Sequence, residues 1–189
     1  MKKGLYAALF SATIASCALR YSPPPTLPSS ITQISTPEET KQWLENVLTY
    51  EHDEVLYRKR DFWAPCALTY KLKQGDCEDY AICAAAILDR DVEEGYIITT
   101  YDSKTNSAHA VFAFRLHGKW GMISNNESEF RNPRYESLHG VLLSSFSEKY
   151  TEYFIYDYQG IDLINGNEDL ESKMKQVGNH PLENFAKKR

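Results

Sequence analysis

Gly75-Asp76-Cys77-Glu78-Asp79-Tyr80-Ala81-Ile82-Cys83-Ala84-Ala85-Ala86-Ile87-Leu88 decides the fold of this chain. Gly75-Asp76 reads as a turn. From Cys77 onward the residues are strong helix formers with Ala81, Ala84, Ala85 and Leu88 on one small, apolar face. Small side chains let a helix approach a sheet closely, so the spacing predicts a central helix from Cys77 packed on strands. Asp76 falls where an N-cap residue accepts backbone N–H bonds. Cys77 falls in the first turn, where the helix end stabilises a thiolate. Asp76, Glu78 and Asp79 oppose that by like-charge repulsion. A paired imidazolium would resolve the conflict, and His109 is the natural partner because it opens an apolar strand, Ala108-His109-Ala110-Val111-Phe112.

Working outward, Thr36-Pro37-Glu38-Glu39 is a helix start: Thr36 caps, Pro37 suits the first helical position and Glu39 completes a capping box. Trp43, Val47 and Leu48 continue an apolar face to about Tyr50, and a second short helix is read over 51–59. Asp61-Phe62-Trp63-Ala64-Pro65 is a break, because the residue before proline is pushed out of the helical region. Beyond the central helix, Tyr96–Tyr101, Ala108–Leu116 and Trp120–Ile123 are β-branched or aromatic runs separated by polar turns. They predict an antiparallel meander. Residues 124–137 read as loop, Tyr150–Tyr158 as a fourth strand and 169–176 as a final helix. The fold class expected is α+β, a nucleophile helix on an antiparallel sheet.

The start of the chain has its own logic. Met1-Lys2-Lys3 precedes an apolar run, Leu5–Ile14, and then Ala15-Ser16-Cys17. A basic start, a short apolar stretch and a small-residue cut site are the parts of an export signal. The apolar run is too short to span a bilayer, which takes about 20 residues. Ile14-Ala15-Ser16-Cys17 resembles the lipobox of bacterial lipoproteins, which implies a signal segment over 1–17 cut before Cys17 and acyl chains on Cys17. Ala18 follows, so an outer-membrane destination is favoured in a cell that has one. Residues 18–35 carry Pro23, Pro24, Pro25 and Pro28 among Ser and Thr, the composition of an extended tether. A single domain is expected over 36–189.

The whole chain of 189 residues carries a net charge of −5 with 25% charged residues. This balance and the lack of zinc-finger, phosphate-loop or basic-stripe patterns give no reason to expect nucleic acid as a partner. Of four cysteines, Cys17 is assigned to lipid. Cys66 and Cys83 either pair as a disulfide, as export permits, or remain two buried thiols. Cys77 is left as the reactive thiol.

Gly75-Asp76-Cys77-Glu78-Asp79-Tyr80-Ala81 followed by His109-Ala110-Val111 resembles the bacterial transglutaminase-like cysteine peptidases, and Phe62-Trp63-Ala64-Pro65 is similar to a Trp-Pro stretch those proteins carry upstream. The resemblance implies a papain-like core and amide chemistry through a thioester on Cys77, with His109 as base. The family's third residue is usually Asp. Here Met122-Ile123-Ser124-Asn125-Asn126 occupies that place, so Asn125 is the favoured counterpart, with Ser124 and Asn126 behind. Gln74 is assigned to the oxyanion and Trp63 to the cleft. The resemblance also implies calcium at Asp76, Glu78 and Asp79, although three carboxylates fall short of the six to eight oxygens calcium takes. No other cofactor is required. The expected function is a lipid-anchored cysteine peptidase or amidase acting on cell-surface protein or wall peptide. The alternative is an inactive transglutaminase-like binding module, which the departure at the third position favours.

Overall fold

A computed structural model describes residues 27–127, 129–145 and 152–181. Cys17 and the export signal lie outside them. Five α-helices appear among the described residues: α1 Pro37–Val47, α2 Asp53–Leu56, α3 Cys66–Leu72, α4 Cys77–Leu88 and α5 Leu138–Ser145. The strands are β1 Thr49–Tyr50, β2 Gln74–Gly75, β3 Glu94–Asp102, β4 Ser107–Leu116, β5 Lys119–Ile123, β6 Glu152–Asp157 and β7 Lys175–Pro181. β1 and β2 form a small parallel pair. The other five make one antiparallel sheet in the order β5-β4-β3-β6-β7. No described helix is long and apolar enough to cross a membrane.

The α+β class is the one expected, and the reason is visible in α4. Ala81, Ile82, Cys83, Ala84, Ala85 and Leu88 are all fully buried. A helix that is apolar nearly all round belongs at the centre of a protein. It packs with Ile97, Ala110, Phe112, Phe114 and Ile123 on one face of the sheet. The next residues along, Ile98, Val111, Ala113 and Met122, turn to the other face and meet Val141 and Leu142 of α5. This alternation follows the two-residue period of a strand. The meander β3-β4-β5 is the predicted one, with the turn into β5 made at His117 and Gly118, both with positive φ.

At the start of α1, Thr36 Oγ1 accepts the Glu39 N–H at 3.2 Å and donates to Glu39 Oε2 at 2.9 Å, so the capping box forms as read. Four expectations change. The helix over 51–59 shrinks to the single turn of α2. The helix over 169–176 becomes a one-turn 3-10 helix at Glu171–Lys173 followed by β7, which pairs along β6. Helix α3 follows directly on Pro65, where only a break was read, and helix α5 begins just after the 124–137 stretch read as loop, in residues given no element. Finally, part of the stretch read as tether is docked: Ser29–Gln33 forms a 3-10 helix and Ile31 is buried in the main core.

Cys66 and Cys83 form a disulfide, which resolves the alternative left open by the sequence. It ties the start of α3 to the middle of α4. Cys77 is the free cysteine among the described residues.

Candidate active site

Cys77 is the first residue of α4, and His109 lies near the start of β4 opposite Thr100. Both are buried, and both line one cleft of about 190 Å³ whose walls include Asp61, Trp63, Glu78 and Tyr156. Trp63 is thus in the cleft wall. It stands edge-on to Tyr156 with ring centroids 4.9 Å apart, and its backbone carbonyl accepts the Leu170 N–H at 2.9 Å. Gln74 is on the short strand β2 and is not among the residues lining the cleft.

The imidazole of His109 is held from the end of β5. Its Nε2 lies 2.9 Å from Ser124 Oγ. Ser124 Oγ also accepts the backbone N–H of Asn126 at 3.2 Å. The Asn126 side-chain amide sits 3.3 Å from Nδ1 and 3.4 Å from Nε2, brackets the ring and favours neither nitrogen. Asn125, the favoured counterpart of the family's third residue, is elsewhere. It lines a separate recess with Tyr50, Gly75 and Tyr80, and its Oδ1 is buried without a hydrogen-bond partner. The reason is the turn at Asn125-Asn126, which begins one residue after β5 ends and carries Asn125 to the other side. Both alternatives, Ser124 and Asn126, meet the ring, and Ser124 makes the shorter contact.

The charge around Cys77 departs from the expected thiolate. Cys77 Sγ donates to Glu78 Oε2 at 2.9 Å. Burial pushes the thiol well above its ordinary value, and the carboxylates of Glu78 and Asp76 add to this, while the Ala110 backbone N–H pulls the other way. Asp76 occupies the N-cap position, but its side chain makes no capping hydrogen bond. Burial raises its pKa, partly offset by the Glu78 side chain and the N–H groups of Asp79 and Glu78. Burial also drives Glu78 far above the usual carboxyl range, reinforced by Asp76.

Two acidic residues missing from the sequence reading complete this cluster. Asp53 on α2 is 2% exposed. Its Oδ2 accepts the Phe62 N–H at 2.5 Å and its Oδ1 has no partner. Burial, then Asp76, raises its pKa to about 7. Asp61 brings a further carboxylate within 4.8 Å of Asp53 and Glu78, and Asp76 stands as close to Cys77 and Glu78. Asp76 Oδ1 is likewise buried without a partner. Buried acceptors without donors are unfavourable unless a cation or proton serves them. Asp53, Asp61, Asp76 and Glu78 therefore form an acidic cluster suited to calcium, whose ligands are oxygens.

Asp79 is corrected. Its Oδ1 accepts the Ala64 N–H at 2.8 Å and its Oδ2 accepts the Tyr57 hydroxyl at 3.1 Å. Burial, with Asp76, raises its pKa well above the ordinary value. Asp79 also lies within 4.8 Å of Asp53 and Asp76, so it adjoins the acidic cluster while fixing the loop before α3. A nearby carboxylate in the sequence could not reveal which acidic residues were free. The signal that could have pointed to Asp53 and Asp61 is their placement shortly before the Trp63-Pro65 break.

A family model described as a transglutaminase-like domain matches residues 26–135. No curated protein matches the chain. Among solved structures, Legionella pneumophila LapG is similar with 17% identity and a TM-score of 0.47, over 77% of this chain and 74% of that one. The calcium-bound form of that protein is similar with 19% identity and a TM-score of 0.46, over 76% and 74%.

Proposed function

This chain belongs to the transglutaminase-like domain family, and from that premise we propose that it is an exported cysteine peptidase or amidase with Cys77 as nucleophile and His109 as base. The observation that carries the reading is the shared cleft of Cys77 and His109, with the imidazole held at Nε2 by Ser124. Ser124 accepting the Nε2 proton leaves Nδ1 as the basic nitrogen. His109 takes the thiol proton, and the sulfur attacks the carbonyl carbon of an amide. Backbone N–H groups at the start of α4 serve the developing oxyanion, and Gln74, outside the cleft lining, would have to turn inward to share that task. As the C–N bond breaks, His109 returns the proton to the leaving amine. His109 then draws a proton from water, which attacks the thioester and frees Cys77 and a carboxylate product.

The acidic cluster decides when the thiol is available. With Glu78 and Asp76 beside it, Cys77 is held protonated. Bound calcium would supply positive charge at these carboxylates, with Asp53, Asp61, Asp76 and Glu78 as its holders. Glu78, engaged there, would no longer accept from Cys77.

The substrate class is protein or wall peptide at the cell surface, and the anchor is an acyl group on Cys17. Support for export comes from the disulfide between Cys66 and Cys83, since such bonds persist in oxidising compartments. A second reading, an inactive binding module, is favoured by one observation: Ser124 brings no carboxylate charge to stabilise an imidazolium. Iodoacetamide labelling of Cys77 at neutral pH with calcium present separates the two. The enzyme reading expects labelling that falls about tenfold or more in His109→Ala. Equal labelling in both proteins sinks it.

A further inference from the structure

Lys41 on α1 is 3% exposed, and its ammonium has three protons for three acceptors. It reaches Glu45 Oε1 at 2.6 Å, the Glu127 carbonyl at 2.6 Å and the Ser124 carbonyl at 3.3 Å. An ammonium on the buried face of a helix is costly unless it is fully paired. The neighbouring inward residue, Leu44, shows that an apolar side chain satisfies this face of α1. Two of the three acceptors of Lys41 are carbonyls of the turn that follows β5. Those carbonyls bracket the segment that carries Ser124 and Asn126 to the imidazole. On the other side, the Lys41 backbone carbonyl accepts the Tyr80 hydroxyl at 3.4 Å, and Tyr80 stands one turn beyond Cys77 on α4.

We infer that Lys41 is a positioning residue that ties the turn holding His109 to the helix holding Cys77, an inference that rests on the cysteine–histidine reading above. Its role is to keep Ser124 Oγ on Nε2, so that the basic nitrogen stays turned to the thiol. Ser124 is neutral and makes one short contact, so it depends on a fixed backbone more than a charged residue there would. Lys41 supplies that fixity through charge-assisted bonds.

The test compares iodoacetamide alkylation of Cys77 across pH 5.5 to 9, in calcium-containing buffer, for the wild-type chain, Lys41→Met, Ser124→Ala, the double variant and His109→Ala. Lys41→Met is expected to slow alkylation at pH 7 about tenfold, the equivalent of one lost hydrogen bond. Toward pH 9, as hydroxide begins to compete with His109 for the thiol proton, the gap to the wild type should narrow. The double variant should be no slower than Ser124→Ala, because the two residues act on one contact. A wild-type profile in Lys41→Met overturns the assignment, and so does a loss that multiplies with that of Ser124→Ala. If His109→Ala instead alkylates like the wild type, the fault lies in the underlying dyad. Should Lys41→Met fail to fold, Glu45→Gln takes its place, since the Glu45 side chain is 43% exposed. It is expected to slow alkylation at pH 7 about twofold in the wild-type background and not at all in Ser124→Ala. No change in either background overturns the proposal.

Discussion

Stripped of divalent cations, the domain should be less stable at pH 8 than at pH 5. A buried carboxyl whose folded pKa is raised binds its proton more tightly in the native state than in the unfolded chain. Its stabilising effect is complete below the ordinary value and is lost as pH rises through the folded one. Asp53 moves from 3.8 to about 7. That interval bounds its loss at about 4 kcal/mol by pH 8. Relaxation of the one-turn helix α2 and solvent screening should roughly halve this, to about 2 kcal/mol. For a domain of this size the melting temperature then falls by about 4–8 °C between pH 4 and 8, with about two thirds of the fall above pH 5. Asp76, Glu78 and Asp79 shift the same way and add to the slope. Below pH 4 the slope reverses, because Asp102 is held low by Thr105 and the Lys104 N–H and must be protonated there. Calcium binds the ionised carboxylates, so it should restore stability at pH 8, by about 2.7 kcal/mol at a hundredfold excess over its dissociation constant. Thermal unfolding in EDTA and in calcium, at pH 4, 5, 6.5 and 8, measures both effects. A metal-free melting temperature that holds or rises from pH 5 to 8 would refute the reasoning. Equal melting temperatures with and without calcium at pH 8 would refute the cation assignment.

Ser124→Asp places a carboxylate 2.9 Å from Nε2 and should raise Cys77 alkylation at neutral pH several-fold by favouring the imidazolium; unchanged or slower labelling in a folded variant counts against the His109 role. Replacing Cys66 and Cys83 together by Ser opens a loop with a sequence separation of 17. This should cost about 3 kcal/mol in denaturant unfolding, with a loss under 1 kcal/mol showing that core packing already fixes α3 on α4. Gly75→Ala sets a Cβ 2.8 Å from the Asp79 side chain and 2.9 Å from Thr69. It should destabilise the domain by about 1–3 kcal/mol, and circular dichroism melts showing no shift would mean that the strand β2 yields freely.

The parts of the fold that were legible are those whose signals are local. The capping box at Thr36, the small-residue face of α4 and the alternating runs of β3 and β4 each state their conformation within a dozen residues. β7 does not. Lys175–Pro181 holds Gly178 and ends on Pro181, and it becomes a strand because β6 offers an edge to pair with. Ile31 is one of three spaced apolar residues, with Leu27 and Ile34, among Ser, Thr and Pro, and only the core they pack on distinguishes the stretch from a tether. In the site, the motif gave Cys77 and His109. The choice between Ser124 and Asn125 turned on where β5 ends, and a slip of one residue reverses which side chain faces which way. Asp53, Asp61 and Lys41 were illegible because each is far from the motif in sequence and acts only through the folded chain.

The expected low thiol pKa failed for a quantitative reason. A helix N-terminus favours a negative charge by about 0.3–1 kcal/mol, rising to about 2 when partly buried. Against it stand the burial of Cys77 and the carboxylates of Asp76 and Glu78 beside it, and a charged neighbour at about 4 Å is itself worth a few kcal/mol near a protein surface. The helix end therefore cannot ionise Cys77 by itself. The same carboxylates that oppose ionisation leave Asp53 Oδ1 and Asp76 Oδ1 without donors. One cation would answer both deficits, neutralising the acidic wall and filling its empty acceptors. On these grounds the reactivity of Cys77 should follow occupancy of the acidic cluster more closely than it follows pH. In the proposed mechanism His109, fixed by Ser124, would then take the proton that the carboxylates no longer hold.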